Sequence, residues 1–393
     1  MKCAAHDPLN DERYHQFVIL KCLCQPCREL QRKQGVNGIP VSNRYNYSAL
    51  TQFITALFEK AGLAPERAAR MADVFIEGDL LGFTTHGTQR VACNLEWLLA
   101  GESQMSGDPL VLADHGSVFN WDANFLPGPW VVSCAIDELI ARVPERGLAA
   151  ATLRRSQHIA SLAAYCPRIL EAGYAVFMTC STPAEKSVNA FGGIEPVFSA
   201  NPIAFAAPAD DYPLLFDISL SITAGGYVAR ALREGQRLPQ QCLLDNEGNT
   251  TDDPAACFTQ PPGSIMPIGG LEHGYKGYAL CLLSELLSMA LGGYGRADDC
   301  ADDGEANSVF IQIIDPAAFG SLDEFKRQAA ALRERCQSSR LKAGSAPVRV
   351  PGQRAWERRS EQLTQGVELY PSILRDIQPW ADRLGVTPPP PLT

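Results

Sequence analysis

Apolar residues recur at three- and four-residue steps through Leu50, Phe53, Ile54, Leu57 and Phe58, which predicts a helix capped near Ser48 and ended by Gly62. Pro65 opens a second helix, carrying Ala69, Met71, Ala72, Val74, Phe75, Ile76 and Leu80 on to Gly82. These two helices deliver the chain to Thr84-Thr85-His86-Gly87. Past Pro129 the texture alternates. A helix over Trp130 to Arg142 precedes a β-like run from Gly147 to Leu153, and a helix from about Ala160 to Ala172 precedes Tyr174-Ala175-Val176-Phe177-Met178. Short strands are predicted at Ile203 to Ala207 and Leu214 to Ile218. The segment Tyr275 to Leu291 reads as a strongly apolar helix buried on most sides, and Asn307 to Ile314 as another strand. Helical stretches at about Leu322 to Ser338 and Arg354 to Leu363 lead to a proline-rich tail, where missing amide hydrogens oppose regular structure. The sum is an α/β enzyme layout with helical flanks and no internal repeat.

Composition narrows the classes. A chain of 393 residues supports two or three packed layers, and 46% hydrophobic against 20% charged residues argues against disorder. The formal charge of −10 comes without a basic stripe, so no nucleic-acid partner is expected. An anionic substrate would then need a local cationic clamp. No run of 18 apolar residues occurs, so no membrane span is expected, and acidic residues ahead of Phe17-Val18-Ile19-Leu20 do not suit a signal peptide. The cysteines number 13, an odd count. Several lie in apolar runs, as Cys134, Cys166 and Cys281 do, which fits free thiols in a reducing cytoplasm. Residues 1–45 read as a poorly ordered extension. Its Cys22-Leu23-Cys24-Gln25-Pro26-Cys27 has the look of half a zinc site, but Cys3, His6 and His15 are poorly spaced partners, and no metal is expected.

No G-x-G-x-x-G, P-loop, H-E-x-x-H or G-x-S-x-G occurs, so the common catalytic and nucleotide motifs are missing. Histidine narrows the search, because there are only six. His86 lies just past a helix end, four residues before Arg90. If the loop turns into a helix, the two share a face, joining a proton donor that titrates near neutrality to a carboxylate clamp. The plainer alternative is a histidine that caps a helix or satisfies a loop carbonyl. His158 follows a β-like run, where ligand-binding groups gather, and otherwise reads as a surface loop residue. His115 and His273 flank glycines and read as loop residues. Asp217 closes the run Leu214-Leu215-Phe216, where a carboxylate either orients an imidazole or is simply solvated.

Taken in order, several stretches resemble the malate/L-lactate dehydrogenase family of NAD(P)H-dependent oxidoreductases. They begin with Gly78-Asp79-Leu80-Leu81-Gly82-Phe83-Thr84-Thr85-His86-Gly87-Thr88-Gln89-Arg90, Ser156-Gln157-His158 and Ser199-Ala200-Asn201-Pro202-Ile203-Ala204-Phe205. They continue with Asp217-Ile218-Ser219-Leu220-Ser221, Leu244-Asp245 with Thr250-Thr251-Asp252, and Pro267-Ile268-Gly269-Gly270, and end with Lys276-Gly277-Tyr278 and Val350-Pro351-Gly352. Each is weak singly; the ordered series over about residues 48 to 370 is specific. The family is unrelated to the Rossmann lactate dehydrogenases and includes malate, sulfolactate and ureidoglycolate dehydrogenases, diketogulonate reductase and cyclic-imine carboxylate reductases.

The resemblance implies an L-sulfolactate dehydrogenase-like fold: a non-Rossmann cofactor-binding sheet domain with a helical flanking domain. It divides the chain into a helical substrate and dimerisation part at 46–130, an α/β NAD(P)-binding domain at 131–350, and C-terminal helices and tail at 351–393 that return to the helical part. It also implies a homodimer and NADH or NADPH as cofactor. His86 takes the place of the family's catalytic histidine, with Thr85 where serine is usual; Arg90 that of the carboxylate-binding arginine; and Asp217 that of the supporting aspartate. Thr85, Arg90 and His158 should line the substrate. Thr179, Cys180, Ser181, Thr182, Ser219, Ser221, Pro351, Gly352 and Gln353 should contact the cofactor. The implied reaction passes a hydride to C2 of a small 2-oxo or cyclic 2-imino carboxylate while His86 protonates the product. Asn94 stands where tyrosine is usual, Phe191 for tryptophan, Tyr227 for lysine and Gln353 for glutamate. These departures leave open which acid is reduced and which cofactor is preferred. They also keep an alternative in view, a catalytically altered member that binds a small molecule or a partner.

Overall fold

In the computed structural model, which describes residues 43–298, 300 and 303–392, strand β1 (Asn43–Tyr45) leads into helix α1 (Tyr47–Lys60). The extension and its cysteine motif, up to position 42, lie outside the described residues. Leu50, Phe53, Ile54, Leu57 and Phe58 form the buried stripe of α1, as their spacing predicts. The cap is Asn46, not Ser48: the Asn46 side chain accepts the Ala49 amide hydrogen at 3.0 Å, an end group that periodicity alone cannot locate. Helix α2 (Pro65–Leu81) follows with Pro65 in its first turn, then α3 (Val91–Ala100).

A hairpin that the alternation does not announce, β2 (Leu110–Asp114) with β3 (Val118–Asp122), precedes α4 (Gly128–Arg146) and β4 (Leu148–Ser156). The helix expected over Ala160 to Ala172 is shorter. Leu162–Tyr165 form a 3-10 turn and only α5 (Cys166–Glu171) is α-helical. Pro167 explains the break, since it has no amide hydrogen to bond back into the preceding turn. Then come β5 (Ala175–Ser181), β6 (Val188–Asn189), β7 (Pro196–Phe198), β8 (Ile203–Ala207), β9 (Leu214–Ile218) and α6 (Gly225–Glu234). Further on are β10 (Leu243–Leu244), β11 (Thr250–Thr251), β12 (Ser264–Ile265), α7 (Gly270–Glu285) and β13 (Asn307–Ile314). The described chain closes with α8 (Leu322–Gln337), α9 (Gln353–Gln365), β14 (Val367–Leu369) and α10 (Pro371–Leu384).

The main sheet has seven strands in the order β2-β3-β4-β13-β5-β8-β9. Only β3 and β4 run parallel; the other neighbours are antiparallel, and central β13 pairs Ile311 with Ala151 on one side and Met178 on the other. The one parallel pair, β3 and β4, is joined by α4, and the turn that leads from β3 into α4, residues 123–127, holds no glycine and so no dinucleotide fingerprint. Short strands β11-β10-β12-β6-β7 form a second sheet, and β1 pairs with β14. One large apolar core joins α1, α2 and α4 to the face of β4, β13 and β5, with Phe58, Phe75, Leu95 and Ile136 fully buried.

Two expectations need correcting. Regular structure persists into the region assigned to a proline-rich tail: α10 contains Pro379, yet Ile373, Ile377, Trp380 and Ala381 are buried along one stripe. Burial of that stripe outweighs one lost backbone bond. The apolar segment around α7 is not buried on most sides either. It continues through a π-helical turn at Leu286–Ala290, and Tyr275, Leu282, Leu283, Leu286 and Leu291 stand exposed on the single chain.

Candidate active site

Between α2 and α3 the chain makes two 3-10 turns, Thr84–His86 and Thr88–Arg90. Asp79, near the end of α2, fixes the loop from beneath. Its carboxylate is fully buried and accepts the Thr88 amide hydrogen at 2.7 Å. Gly87 is required there, since a side-chain carbon would fall 2.3 Å from the same carboxylate. The loop holds His86 beside Thr85, whose Oγ1 lies 2.9 Å from the imidazole Nδ1.

His158 reaches the same place from the loop after β4. That loop presses so closely on α4 that a side chain at Gly128 would collide with the Gln157 carbonyl. The rings of His86 and His158 stack with centroids 5.5 Å apart and planes 17° apart. Trp97 of α3 flanks His158 at 6.5 Å. Arg90 joins the group through Nη2, 3.0 Å from His158 Nε2, while Nη1 lies 3.4 Å from Glu305 Oε2. His158 Nδ1 accepts the Ala160 amide hydrogen at 3.1 Å, which assigns the proton of a neutral ring to Nε2. That N–H and the Arg90 guanidinium are then two adjacent donors, side by side as the two oxygens of a carboxylate would meet them.

Electrostatics holds both imidazoles neutral. Burial, reinforced by the Arg90 charge, pushes His86 down to about 3. Burial, Arg90 and His86 together push His158 well below its ordinary value. Burial raises the Asp79 carboxyl to about 7, opposed by its bonds from Thr88. The Cys93 thiol rises to about 12, again chiefly through burial, so it is a packing group here and not a nucleophile. Asn94 turns back along its helix and donates to the Arg90 carbonyl at 2.8 Å.

Thr85, His86, Arg90 and His158 therefore meet. Asp217 does not join them by a hydrogen bond. Its Oδ2 accepts the Ala163 amide hydrogen at 2.9 Å and the carboxylate also takes the Leu162 amide, while burial raises it to about 6. The group at His86 Nδ1 is the Thr85 hydroxyl.

The residues expected around a cofactor divide into two sets. Thr179 and Ser181 are buried and bound to Ser284 and Ser288 of the α7 segment. Cys180 is buried between them, and Thr182 Oγ1 accepts from Asn307 Nδ2 at 2.8 Å. By contrast, Ser219 and Ser221 bond to each other beyond the end of β9, beside the exposed side chains of Ile218 and Ile222. The turn at Pro351, Gly352 and Gln353 lies at the other end of that strand, its Pro351 carbonyl accepting from Leu215 at 3.4 Å. At about 3.4 Å per residue the two ends are about 14 Å apart. Paired hydroxyls, exposed apolar surface and this separation fit an extended ligand with polar and flat apolar parts, as a nicotinamide dinucleotide is.

Sequence reasoning missed Glu305. Glu305 closes an acidic stretch, Asp298 to Glu305, that carries no chemical signature along the chain. Only folding turns its side chain inward, 9% exposed, onto Arg90. Among the described residues no group of three His, Cys, Asp or Glu side chains could hold a metal ion.

Known proteins resemble this chain over nearly all of the described length. The family model described as malate/L-lactate dehydrogenase matches residues 45–378. The malate dehydrogenase of Pyrococcus horikoshii is 28% identical over 344 residues, covering 86% of this chain and 94% of the relative. The malate/(S)-sulfolactate dehydrogenase of Methanothermus fervidus is 28% identical over 338 residues, 85% and 96% of the two chains. Among solved structures, a Δ1-piperideine-2-carboxylate reductase from Pseudomonas syringae pvar. tomato superposes with a TM-score of 0.75 at 26% identity, covering 86% of this chain and 99% of that one.

Proposed function

This chain belongs to the malate/L-lactate dehydrogenase family, and we propose that it reduces C2 of a small 2-oxo or cyclic 2-imino carboxylate, with His86 as general acid. It is a dehydrogenase, like the relatives it matches; the reverse reaction is oxidation of a 2-hydroxy acid, with His86 as base. The observation that carries the reading is the meeting of one guanidinium and two neutral imidazoles at Arg90, His86 and His158.

Arg90 donates to the substrate carboxylate and so fixes the neighbouring C2. His158 Nε2–H adds a donor to the same ligand. NADH or NADPH, when bound, supplies the hydride. Ser219, Ser221, Thr182 and the turn at Pro351 to Gln353 would hold it, while Thr179, Cys180 and Ser181, enclosed by the α7 segment, would back the site. As the C2 double-bond electrons move onto oxygen or nitrogen, His86 delivers a proton to that atom. The Thr85 hydroxyl, able to donate or accept, follows the change of tautomer at Nδ1. Burial first and the Arg90 charge second hold His86 down; a substrate carboxylate offsets the second, so binding favours proton uptake by the imidazole.

The exposed leucines of the α7 segment support a homodimer, because an apolar helix face of this kind marks an interface. Equilibrium sedimentation tests that assignment. The described cysteines are free thiols, most of them buried, which supports action in the cytoplasm. No described helix is long and apolar enough to cross a membrane. The central test is fluorescence titration with NADH and NADPH, followed by a panel of 2-oxo acids and cyclic imine carboxylates. Turnover of at least one class is expected. Cofactor binding without turnover of any member would overturn the enzyme and favour a binding protein.

A further inference from the structure

Asn307 opens β13, the central strand of the main sheet, and both of its neighbours run antiparallel to it. The C-terminal ends of β4 and β5 therefore flank it, with Ser156 opposite Asn307 and Ser181 opposite Ser308. The chain leaving β4 carries His158, and the chain leaving β5 carries Thr182. Asn307 stands between these two loops, buried, and its side-chain amide bonds to both. Oδ1 accepts the Ile159 amide hydrogen at 3.1 Å, while Nδ2 donates to Thr182 Oγ1 at 2.8 Å and to the Glu305 carbonyl at 3.2 Å. A backbone N–H only donates and a carbonyl only accepts, so the amide can face only this way.

The two ends of this bridge differ in stiffness. The Thr182 end is anchored. Its amide hydrogen goes to Ser199 Oγ at 3.0 Å, the Ser199 hydroxyl bonds to Asn201 Oδ1, and Asn201 Nδ2 donates to Glu285 of α7 at 2.9 Å. The His158 end is held against its own preference. Ala160 has a φ of 67°, in the left-handed region that a side-chain carbon disfavours. Its amide hydrogen is the one that His158 Nδ1 accepts. Such a backbone persists only where its surroundings over-determine it. Here Tyr165 Oη donates to the Ile159 carbonyl and Asn307 accepts the Ile159 amide hydrogen, so the aim of the His158 ring depends on how Ile159 is held. Accepting from Asn307 also leaves Thr182 its own hydroxyl hydrogen to donate. Resting on the dehydrogenase reading of this pocket, we propose that Asn307 is a positioning residue that couples the cofactor side of the site to the substrate side. With cofactor held at the Thr182 hydroxyl, the bridge fixes Ile159 and so the His158 Nε2–H that meets the substrate. Asn307 acts through the two loops and not by touching either ligand.

Hydrogen exchange at the Ala160 amide reports the His158 ring without any need for turnover, because that hydrogen is bonded to Nδ1. It is read on the full chain by mass spectrometry with peptide fragmentation. Saturating NADH or NADPH, whichever binds, is expected to slow this exchange by about fivefold to tenfold, the scale of one hydrogen bond made firmer. N307A and T182V are expected to speed it in the absence of cofactor. Both should also abolish the cofactor effect, while nicotinamide fluorescence shows the cofactor still bound. T182S keeps the hydroxyl and is expected to restore the unmodified behaviour. If N307A does not fold, T182V against T182S decides alone. A cofactor effect at Ala160 that survives in T182V overturns the proposal. Cofactor bound to the unmodified protein with no change at Ala160 overturns it equally. Failure of the dehydrogenase reading looks different: neither cofactor binds at all, which takes away what the bridge would couple, although T182V and T182S still differ at Ala160.

Discussion

Around Thr179 and Ser181 each hydroxyl meets a partner that completes it: Thr179 bonds to the Pro202 carbonyl and to Ser284, Ser181 to Ser288, and Ser288 to the Ser284 carbonyl. Around Arg90 the contacts run between charged and aromatic groups brought from separate segments. The guanidinium lies 3.0 Å from the His158 ring nitrogen and 3.4 Å from the Glu305 carboxylate. The first cluster is a finished piece of interior that joins β5 to α7. The second gathers one charge and two imidazoles from separate loops. Buried polarity in this protein thus takes two forms, hydroxyls bonded to one another and to backbone in one region, and charge set beside imidazole in the other.

Substitutions in the two clusters should separate activity from stability. The largest effect is expected from H86A, which should cost ~10²-fold or more in kcat, the scale of a positioned acid. Cofactor affinity by fluorescence titration should stay unchanged. Turnover close to that of the unmodified enzyme would remove His86 from the mechanism. R90K keeps the charge but not the planar fork, and should lower kcat/KM by about 10- to 100-fold, mostly through KM. A change confined to kcat would mean that Arg90 does not hold the ground-state carboxylate. In the closed cluster, S284A should behave oppositely: a loss of about 1–2 kcal/mol in urea unfolding, with kcat altered by less than about twofold. A large activity loss with unchanged stability would show that this network is not sealed.

D79N is expected to be subtler, because Asp79 bears on the site through its bond to the Thr88 amide. Its carboxyl, raised to about 7, holds a proton more tightly in the folded protein than in the unfolded chain. Stability from this group is therefore present at acid pH and is lost as pH rises from about 4 through 7. His86 and His158, with lowered values, contribute the opposite slope over the acid side. Asparagine keeps an acceptor for the Thr88 amide and removes only the titration. The difference between D79N and unmodified melting temperatures should grow in favour of D79N toward neutral pH. A difference that stays flat across that range would reject the raised carboxyl.

Much of this site was legible before folding was considered. His86 and Arg90 share one loop, so their approach follows from local chain geometry, and His158 was marked by its place after a strand. Asp217 was recognised by its motif, yet its carboxylate is committed to the 162–163 amides, a contact that depends on where the turn before α5 packs. Glu305 was invisible. Nothing in an acidic loop says which carboxylate turns inward, since that depends on a strand, β13, set by pairing between two distant segments. The tail helix α10 and the exposed face of α7 were misjudged for a related reason. Proline content and apolarity describe a segment, whereas burial is a property of its neighbours.

By itself the sequence determined the helical periodicities, the ordered family motifs and the pairing of an imidazole with a guanidinium in one loop, because these depend on residues close together in the chain. Only the tertiary structure decided that Glu305 meets Arg90, that Thr179 and Ser181 are enclosed, and that His86 and His158 are neutral. Desolvation and Coulomb interaction act between groups that share a space, and which groups share a space is fixed only when distant segments pack.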